Sequence, residues 1–445
     1  MKGDFSRWTF DPTKHYSRVL SLQGRVFLDA DFNEGQELGL QHLRKLTADL
    51  LGPHGGPGTA FEIDATQNPS ADFVIRGGRY YVNGIVCEND ADVNYLSLVP
   101  KPDPIAGGSY VAYLDVWERF VTFIEDEDLT TADLQQSIRE VALGGPDTAA
   151  RSEVVWQVRL LKFGALAAPP KNDDTSYREF LKELVNQSIL RPDASKGMIK
   201  ARARKPKTAD QPCPTSPDSQ YRGPENQLYR VEIHNPGVFP PAQAPAGGSK
   251  PSFKWSRENG SVVFSIRSLE GPTVTLETLG HDERLGLKVG DLVEVVDDTY
   301  VLQNRAEQLR MVKSIDPETY IVELDAAPVS NVGTVSTDHP ILRRWEGYAD
   351  VSRNADPLTD GYLALEQGVE VYFGDGDYRT GDYWITPARV PTGDVEWPGP
   401  PDDPQLEPPQ GILHWYAPLA FLSVAAGGLV TVSSSMRRTI NQLWS

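Results

Sequence analysis

The residues best placed to do chemistry lie in an acidic turn at 375–382, where Asp375 and Asp377 stand two positions apart. Alternating carboxylates are the spacing with which a loop wraps around Ca²⁺. However, Arg379 occupies the third ligand position, Thr380 stands where a sharp-turn glycine belongs, and no glutamate closes the loop. The pattern therefore favours a structural turn between two strands, with calcium binding as the alternative.

A second candidate is a basic segment at 196–207, which opposes the net charge of the chain, 43 − 62 = −19. Its six basic residues are Lys196, Lys200, Arg202, Arg204, Lys205 and Lys207. The segment has no interleaved aromatic residues, which single-stranded nucleic acids require for stacking. We predict an interaction loop that meets an acidic surface on a neighbouring subunit. A solvated flexible loop is the alternative.

No familiar catalytic motif is present in the sequence. It contains no phosphate-binding Gly-rich motif, no G-x-S-x-G elbow and no H-E-x-x-H zinc motif, and its seven histidines are scattered singly. We therefore expect no enzymatic activity, no cofactor and no metal site. Paired carboxylates of the kind that glycosidases use remain an alternative, because acidic residues are abundant. The acidic run at 125–128 is expected to lie in solvent.

Charge and cysteine content narrow the classes of partner. An acidic chain is repelled by nucleic acids and by anionic lipid, so we expect neither nucleic-acid binding nor membrane insertion. The two cysteines, Cys87 and Cys213, form no C-x-x-C pair, which predicts assembly in a reducing compartment. The N-terminus lacks the apolar core of a signal peptide. These features predict a soluble protein that is made in the cytoplasm.

Periodicity predicts short strands with a few helices, and hairpin turns are predicted at Asn83-Gly84 and at Glu258–Ser261. The segments 110–117 and 154–161 read as neighbouring strands, and 411–436, although uncharged, reads as a hairpin because Pro418 and a Gly-Gly turn interrupt it. Residues 26–28 read as a half-buried strand. Helices are predicted at about 33–51, after a cap at Asp31 or Asn33, and at about 176–190, with a capping box from Ser176 to Glu179.

The predicted fold class is mainly β with a few helices, an α+β multidomain protein of short antiparallel strands. At 445 residues the chain is too long for a single core. Four regions are predicted: a β-rich domain at 1–164 with one helix, a linker at 165–220 with one helix and the basic loop, a β domain at 221–330 with a small SH3-like barrel, and a Trp- and Pro-rich β region at 331–445.

Several strings resemble an uncharacterised family of phage-tail-like proteins of contractile injection systems. They are MKGDFSR at 1–7, FDPTKHY at 10–16, QGRVFLDADFNE at 23–34, YLDVWER at 113–119, EVALGGPDT at 140–148, VWQVR at 155–159, ENQLYRVEIH at 225–234, FKWSRENG at 253–260 and GDYWITPAR at 381–389. The resemblance implies a structural component of such a particle, associated with its baseplate or spike as a cage or fibre-anchoring scaffold. It also implies contacts with other particle subunits, and we expect a homo-oligomer. The alternative is a tail-fibre-like protein that binds a target or cleaves glycans.

Overall fold

The computed structural model describes residues 1–66, 71–126, 138–143, 147–164, 169–204, 220–243, 248–280, 282–356 and 359–441. The α-helices are α1 Asp29–Leu51, α2 Phe123–Asp126, α3 Asp174–Asn186 and α4 Asp298–Leu302. Short 3-10 turns lie at Pro12–Lys14, Tyr95–Ser97, Val141–Leu143, Asp193–Ser195, Pro241–Gln243 and Ser336–Asp338.

Strands dominate the described chain, as the predicted fold class requires. The first half contains β1 His54–Pro57, β2 Ile63–Asp64, β3 Val74–Ile75, β4 Gly78–Val82, β5 Ile85–Asn89, β6 Val93–Asn94, β7 Gly108–Val121, β8 Arg151–Lys162, β9 Ile199–Ala203, β10 Gln227–Asn235, β11 Gly237–Phe239, β12 Ser252–Ser256, β13 Val263–Glu270 and β14 Thr273–Leu276. The second half contains β15 Leu292–Val296, β16 Arg310–Asp316, β17 Ile321–Leu324, β18 Ile341–Trp345, β19 Gly347–Asp350, β20 Leu363–Ala364, β21 Val369–Phe373, β22 Gly376–Tyr378, β23 Tyr383–Arg389, β24 Asp394–Val395, β25 Trp415–Val424, β26 Val430–Ser435 and β27 Thr439–Ile440.

The chain divides into two compact units, each assembled from segments that are distant in sequence. We call the first the barrel unit; it comprises Met1–Arg7, Phe120–Arg151 and Asp193–Ile412. The second, the helix unit, comprises Trp8–Arg119, Ser152–Pro192 and Leu413–Ser445. This division differs from the four consecutive regions that the sequence predicts, because the region at 331–445 contributes to both units. Its last strands, β25–β27, pair with strands from the N-terminal region.

The main sheet of the helix unit has the strand order β26-β25-β7-β8. β7 is central, as predicted for 110–117, and β8 covers the predicted partner at 154–161. Both faces of β7 are buried because two apolar clusters pack against it, one through Ala112 and Leu114 and the other through Val111 and Tyr113. The segment at 411–436 contains the predicted hairpin, in which Val424 pairs with Val430.

A second sheet of the helix unit, in the order β27-β1-β4-β5, contains the predicted Asn83-Gly84 hairpin. Asn83 has φ 49° and Gly84 has φ 80°, the left-handed backbone that a two-residue hairpin turn requires. A Cβ on Gly84 would lie 2.2 Å from the carbonyl oxygen of Arg44 in α1. Gly84 therefore permits the backbone of the turn to approach the helix.

The two longer helices begin earlier than predicted. α1 starts at Asp29 without a side-chain cap. The predicted half-buried strand at 26–28 is wrong, because these residues are exposed and belong to no strand. α3 starts at Asp174, and its cap is Asp173, whose carboxylate accepts the Ser176 amide at 2.7 Å. Asp173 lies at the N-terminus of the helix, where a carboxylate satisfies a free amide, so it replaces the predicted capping box.

The barrel unit contains a closed barrel with the strand order β13-β14-β17-β16-β15-β18. It lies where the sequence predicts a small barrel but extends to β18, beyond the predicted limit at residue 330. Its likeness to SH3 domains stays a prediction. The predicted turn at Glu258–Ser261 leads into the barrel, and its Ser261 amide donates to the Glu258 carbonyl at 3.0 Å. The prediction that this turn closes a hairpin is wrong, because β12 belongs to a five-stranded sheet and β13 to the barrel.

Beside the barrel, the five-stranded sheet β19-β12-β10-β23-β24 and the three-stranded sheet β20-β21-β9 share one apolar cluster. β9 covers Ile199–Ala203, so the segment predicted as a basic loop is in part a strand. It forms a strand because Ile199 and Ala201 are buried on one face while β9 pairs with β21 along its whole length. Among the described residues, no helix has the length and apolar character needed to cross a bilayer.

We predict that Gly84→Ala destabilises the helix unit by about 2 to 4 kcal/mol, because it adds both a left-handed alanine and a clash with the α1 backbone. Gly58→Ala is the matched control, since Gly58 also has positive φ but an added Cβ meets no atom within 4 Å. The control should cost only about 1 kcal/mol. Urea unfolding followed by circular dichroism measures both. Equal costs for the two variants would contradict the close approach.

Candidate functional site

The basic segment contacts acidic groups of its own chain. Arg202 is buried, and its Nε donates to Glu370 Oε2 at 3.1 Å. The Nε of Arg204 lies 3.2 Å from the other oxygen of the same carboxylate. Lys205 and Lys207 lie outside the described residues. The charge of Arg202 is therefore balanced within the chain by Glu370. Contact between this segment and a neighbouring subunit stays a prediction.

The two lysines of the segment that lie in the described residues, Lys196 and Lys200, also contact groups of the same chain. Lys196 Nζ lies 2.8 Å from the Asp193 carboxylate. Lys200 Nζ lies 5.2 Å from the ring centroid of Tyr372 and 5.7 Å from that of Tyr362, which is cation–π geometry.

The acidic turn at 375–382 contains β22, which pairs with β11. Asp375 forms an ion pair with Arg353, and Asp377 lies 3.6 Å from the Arg379 guanidinium. In the part of the chain that the structure describes, no group of three or more His, Cys, Asp or Glu side chains could hold a metal ion. Arginines thus face the two carboxylates from which a calcium site would be built.

Four of the histidines make individual contacts. His54 contacts a tyrosine hydroxyl, and His339 and His414 each contact one aspartate. The pKa of His234 is lowered to about 4, mainly because its side chain is buried and also because the ammonium of Lys254 repels a charged imidazole. His281 lies outside the described residues.

The densest set of charged side chains is buried in the barrel unit around Lys254. This residue lies on β12 directly opposite Glu232 of β10. Its Nζ is 2.5 Å from Glu294 Oε2, on β15, and 3.5 Å from Glu232. The indole Nε1 of Trp345, on β18, donates to the same Glu294 oxygen at 2.9 Å, and its ring centroid lies 4.6 Å from Lys254 Nζ. We call these residues, with Arg230 and Lys2, the Lys254 network.

Glu232 also binds two further cations. The Nε and Nη2 of Arg230 each lie 2.7 Å from Glu232 Oε2, and the Lys2 ammonium lies 3.0 Å from Oε1. The Arg230 guanidinium stacks on the Tyr383 ring at 3.6 Å from its centroid. Lys2 thereby connects residues 1–7 to the strands of the barrel unit.

Asn259 makes a second connection to the same segment. Its Nδ2 donates to the carbonyl oxygens of Met1 at 3.1 Å and Gly3 at 2.9 Å. Asn259 has φ 51° in the turn after β12, a conformation that asparagine tolerates better than most residues. The turn therefore aims the amide at the backbone of the N-terminal segment.

Burial and mutual attraction compete in the Lys254 network. Burial lowers the pKa of Lys2 to about 7, although Glu232 acts in the opposite direction. Burial alone would raise the pKa of Glu232, but Lys2, Arg230 and Lys254 hold that pKa well below its usual value. Burial alone would also raise the pKa of Glu294, but Lys254, His234 and Lys2 together lower that pKa below its usual value. Both carboxylates are therefore ionised at neutral pH.

A cavity of about 220 Å³ lies beside Trp345 in the same unit. Its lining residues are Arg257, Arg284, Lys288, Gly290, Asp291, Leu292, Arg344, Trp345 and Glu346. Its arginines face carboxylates: Arg257 contacts Glu366 at 2.6 Å, and Arg344 contacts Glu346 at 3.3 Å. The positive charge of the wall is thus balanced by the protein itself.

Glu258 is the least satisfied carboxylate beside this cavity. Its Oε1 is buried and has no hydrogen-bond partner, although it lies 3.2 Å from Arg284 Nη2. Burial raises the pKa of Glu258 to about 7, against the lowering effect of Arg284. This carboxyl changes its charge near neutral pH.

Sequence reasoning predicted neither the network nor the cavity. A signal for the network is present, because Arg230 and Glu232 alternate with apolar residues in β10 and Lys254 stands between Phe253 and Trp255 in β12. Charges inside otherwise apolar strands indicate buried pairs, since an unpaired buried charge is strongly unfavourable. The partners themselves come from strands that are distant in sequence.

The chain matches the model of one protein family, described as a family of unknown function, DUF6519, over residues 1–183 and 171–427. The chain belongs to this family. No curated protein matches the sequence, and no solved structure matches the fold. The family match includes Lys254 and the lining of the cavity, so both features lie in the part of the chain that characterises the family.

We predict that Lys254→Met lowers the free energy of unfolding by about 3 to 5 kcal/mol, because it leaves two buried carboxylates without their shared cation. Lys250→Met is the matched control: Lys250 pairs with Asp350 at 2.9 Å, but both side chains are exposed. The control should cost less than about 1 kcal/mol. Urea unfolding provides the comparison. A Lys254→Met variant as stable as the control would disprove the role of the network.

We predict that Glu258→Gln becomes more stable relative to the wild type as pH rises from 5 to 8. The folded-state pKa of Glu258 lies above its ordinary value, so its contribution to stability is present at low pH and is lost as pH rises through about 7. The gain should be about 1 to 3 kcal/mol in urea unfolding.

Glu225→Gln serves as the control for this pH series, because Glu225 pairs with the same Arg284 but is far more exposed. Its stability relative to the wild type should change little over the same range, since solvent screens an exposed carboxylate. A Glu258→Gln difference that does not depend on pH would rule out titration of this buried carboxyl.

Proposed function

We propose that this chain is a structural, non-enzymatic component of a phage-tail-like contractile injection particle, associated with the baseplate or spike as a cage or fibre-anchoring scaffold. The proposal begins from the sequence strings that resemble such proteins. The observation that carries it is that the polar side chains in those strings bind one another. Arg230, Glu232, Lys254 and Asn259 all point into the barrel unit and contact residues of the same chain.

This arrangement supports a scaffold role, because a catalytic or ligand-binding residue must keep a charge, a hydrogen-bond donor or an acceptor available for its substrate. In the Lys254 network each carboxylate faces at least two donors, and the arginines at the neighbouring cavity face carboxylates. The charges hold strands in register and fix the N-terminal segment. These charged groups therefore stabilise the fold of the subunit.

A second supporting observation is a large exposed apolar surface in the helix unit. Residues 16–50 include many large apolar side chains that stand in solvent. A single protein rarely exposes so much apolar surface unless another molecule covers it. We therefore propose that the chain works within an assembly of particle subunits and further copies of itself.

The experiment is deletion of the gene from the producing bacterium, followed by electron microscopy of purified particles. The proposal predicts that the particles lack one discrete density at the baseplate or spike, and that the wild-type gene restores it. Particles with every density unchanged would refute the proposed role.

The glycan-cleaving or target-binding alternative has its own assay. The purified protein is incubated with cell-wall polysaccharide, and binding and released sugars are measured. A scaffold should show neither. Release of sugars by the wild type would overturn the non-enzymatic proposal.

A further inference from the structure

One face of α1 carries apolar side chains that the rest of the described chain leaves exposed. Phe32, Leu43, Leu46 and Leu50 are between 53% and 75% exposed. Together with two smaller or polar positions they form a stripe, which we call the α1 stripe: Phe32, Gln36, Gly39, Leu43, Leu46 and Leu50. Successive members are 4, 3, 4, 3 and 4 residues apart. This alternation of four-residue and three-residue steps is the spacing of apolar positions in a helix that packs against another helix.

The opposite face of α1 is already occupied by the helix unit. Ala30 and Leu38 are buried there. Arg44 donates two hydrogen bonds to Glu118, at 3.0 and 2.7 Å. An ordinary surface helix has an apolar inner face and a polar outer face. α1 instead has an occupied inner face and an apolar outer face.

The extended segment at 8–28, which we call the arm, enlarges this surface. It lies along α1: Thr9 donates to Glu34 at 2.6 Å, and the Phe27 ring contacts the Phe32 ring edge-on at 6.2 Å. The exposed apolar residues of the arm are Trp8, Tyr16, Leu20, Leu22, Val26, Phe27 and Leu28.

The size of the surface is that of a protein–protein interface. Eleven large apolar side chains of the arm and stripe are each at least 40% exposed, and at roughly 100 Å² each they present on the order of 1,000 Å² to solvent. One partner in a stable complex contributes about 800 Å². The largest apolar patch on a typical monomer is about 300 to 600 Å².

The α1 stripe is complementary to itself in the reverse direction. When two copies are laid antiparallel and centred between Gly39 and Leu43, each Leu43 faces the Gly39 of the other copy. Phe32 then faces Leu50, and Leu46 faces Gln36. A large residue opposite a glycine fills space that a parallel pair, with glycine opposite glycine, would leave empty. Antiparallel helices also oppose their macrodipoles favourably.

We propose that the α1 stripe binds the α1 stripe of a second copy of this chain, as an antiparallel helix pair about a two-fold axis, with the arms covering its edges. Such a contact is isologous, the same patch on both subunits. The inference rests on the proposed function for its purpose, because it names one contact by which an assembling subunit meets another copy.

The test is the mass of the purified full-length chain. Sedimentation equilibrium should show a dimer of the 49.2 kDa chain. The double variant Leu43→Glu/Leu46→Glu should be monomeric, with a dissociation constant raised at least about 100-fold, because four buried charges replace apolar contacts at the centre of the interface. Circular dichroism checks that the variant remains folded.

Leu413→Glu is the matched control, since Leu413 is 56% exposed and Leu43 is 59% exposed, yet Leu413 lies outside the stripe and the arm. The control should remain dimeric. A wild type that is monomeric at high concentration, or a dimer that survives Leu43→Glu/Leu46→Glu, would overturn the inference. Neither result bears on the particle density that tests the proposed function, so the two failures are distinguishable.

Cysteine crosslinking tests the direction of the helix pair. In a Cys213→Ser background, Gly39→Cys combined with Leu43→Cys should form a crosslinked dimer rapidly under mild oxidation, because the two positions face each other across the antiparallel pair. An added Cβ at Gly39 meets no atom within 4 Å. Leu43→Cys alone should crosslink much more slowly. Equal rates would indicate a parallel pair and overturn the proposed geometry.

Discussion

Burying a charged side chain in a β-rich core is unfavourable unless opposite charges and hydrogen-bond donors are buried with it. The barrel unit obeys this constraint around Lys254, whose ammonium lies between Glu232 and Glu294. These three residues stand on β10, β12 and β15, so the ion pairs join the five-stranded sheet to the barrel within the unit. An apolar core would tolerate a shifted register far more readily than a set of charges that must meet.

The same constraint extends to the N-terminal segment. Lys2 reaches Glu232, and Asn259 donates to two carbonyls of residues 1–3. Residues 1–7 are therefore part of the barrel unit, although the chain then passes into the helix unit at Trp8. Charge pairing and hydrogen bonds thus connect the N-terminal segment to the rest of this unit.

The helix unit depends instead on how its apolar side chains are divided between buried and exposed positions. Its sheets enclose apolar clusters on both sides of β7, while α1 buries only Ala30 and Leu38, on one of its faces. The leucines at 43, 46 and 50 recur at helical spacing, yet they are exposed. We propose that a second copy of the chain buries these leucines in the assembly. An apolar pattern indicates that a helix face is buried in a contact, but it does not identify the molecule that makes the contact.

Local signals determined a large part of this protein from the sequence alone: the strand-rich class, the central strand at 110–117, the turns at Asn83-Gly84 and Asn259-Gly260, and the hairpin at 411–436. Each depends on a few neighbouring residues, through strand alternation or the left-handed backbone of a turn. Tertiary structure decided what depends on long-range pairing. It made Ile199–Ala203 a strand because β21 is its partner, gave Arg202 an internal carboxylate, and placed Lys254 between two glutamates. Those partners lie tens to hundreds of residues away, and no local pattern encodes which distant strands meet.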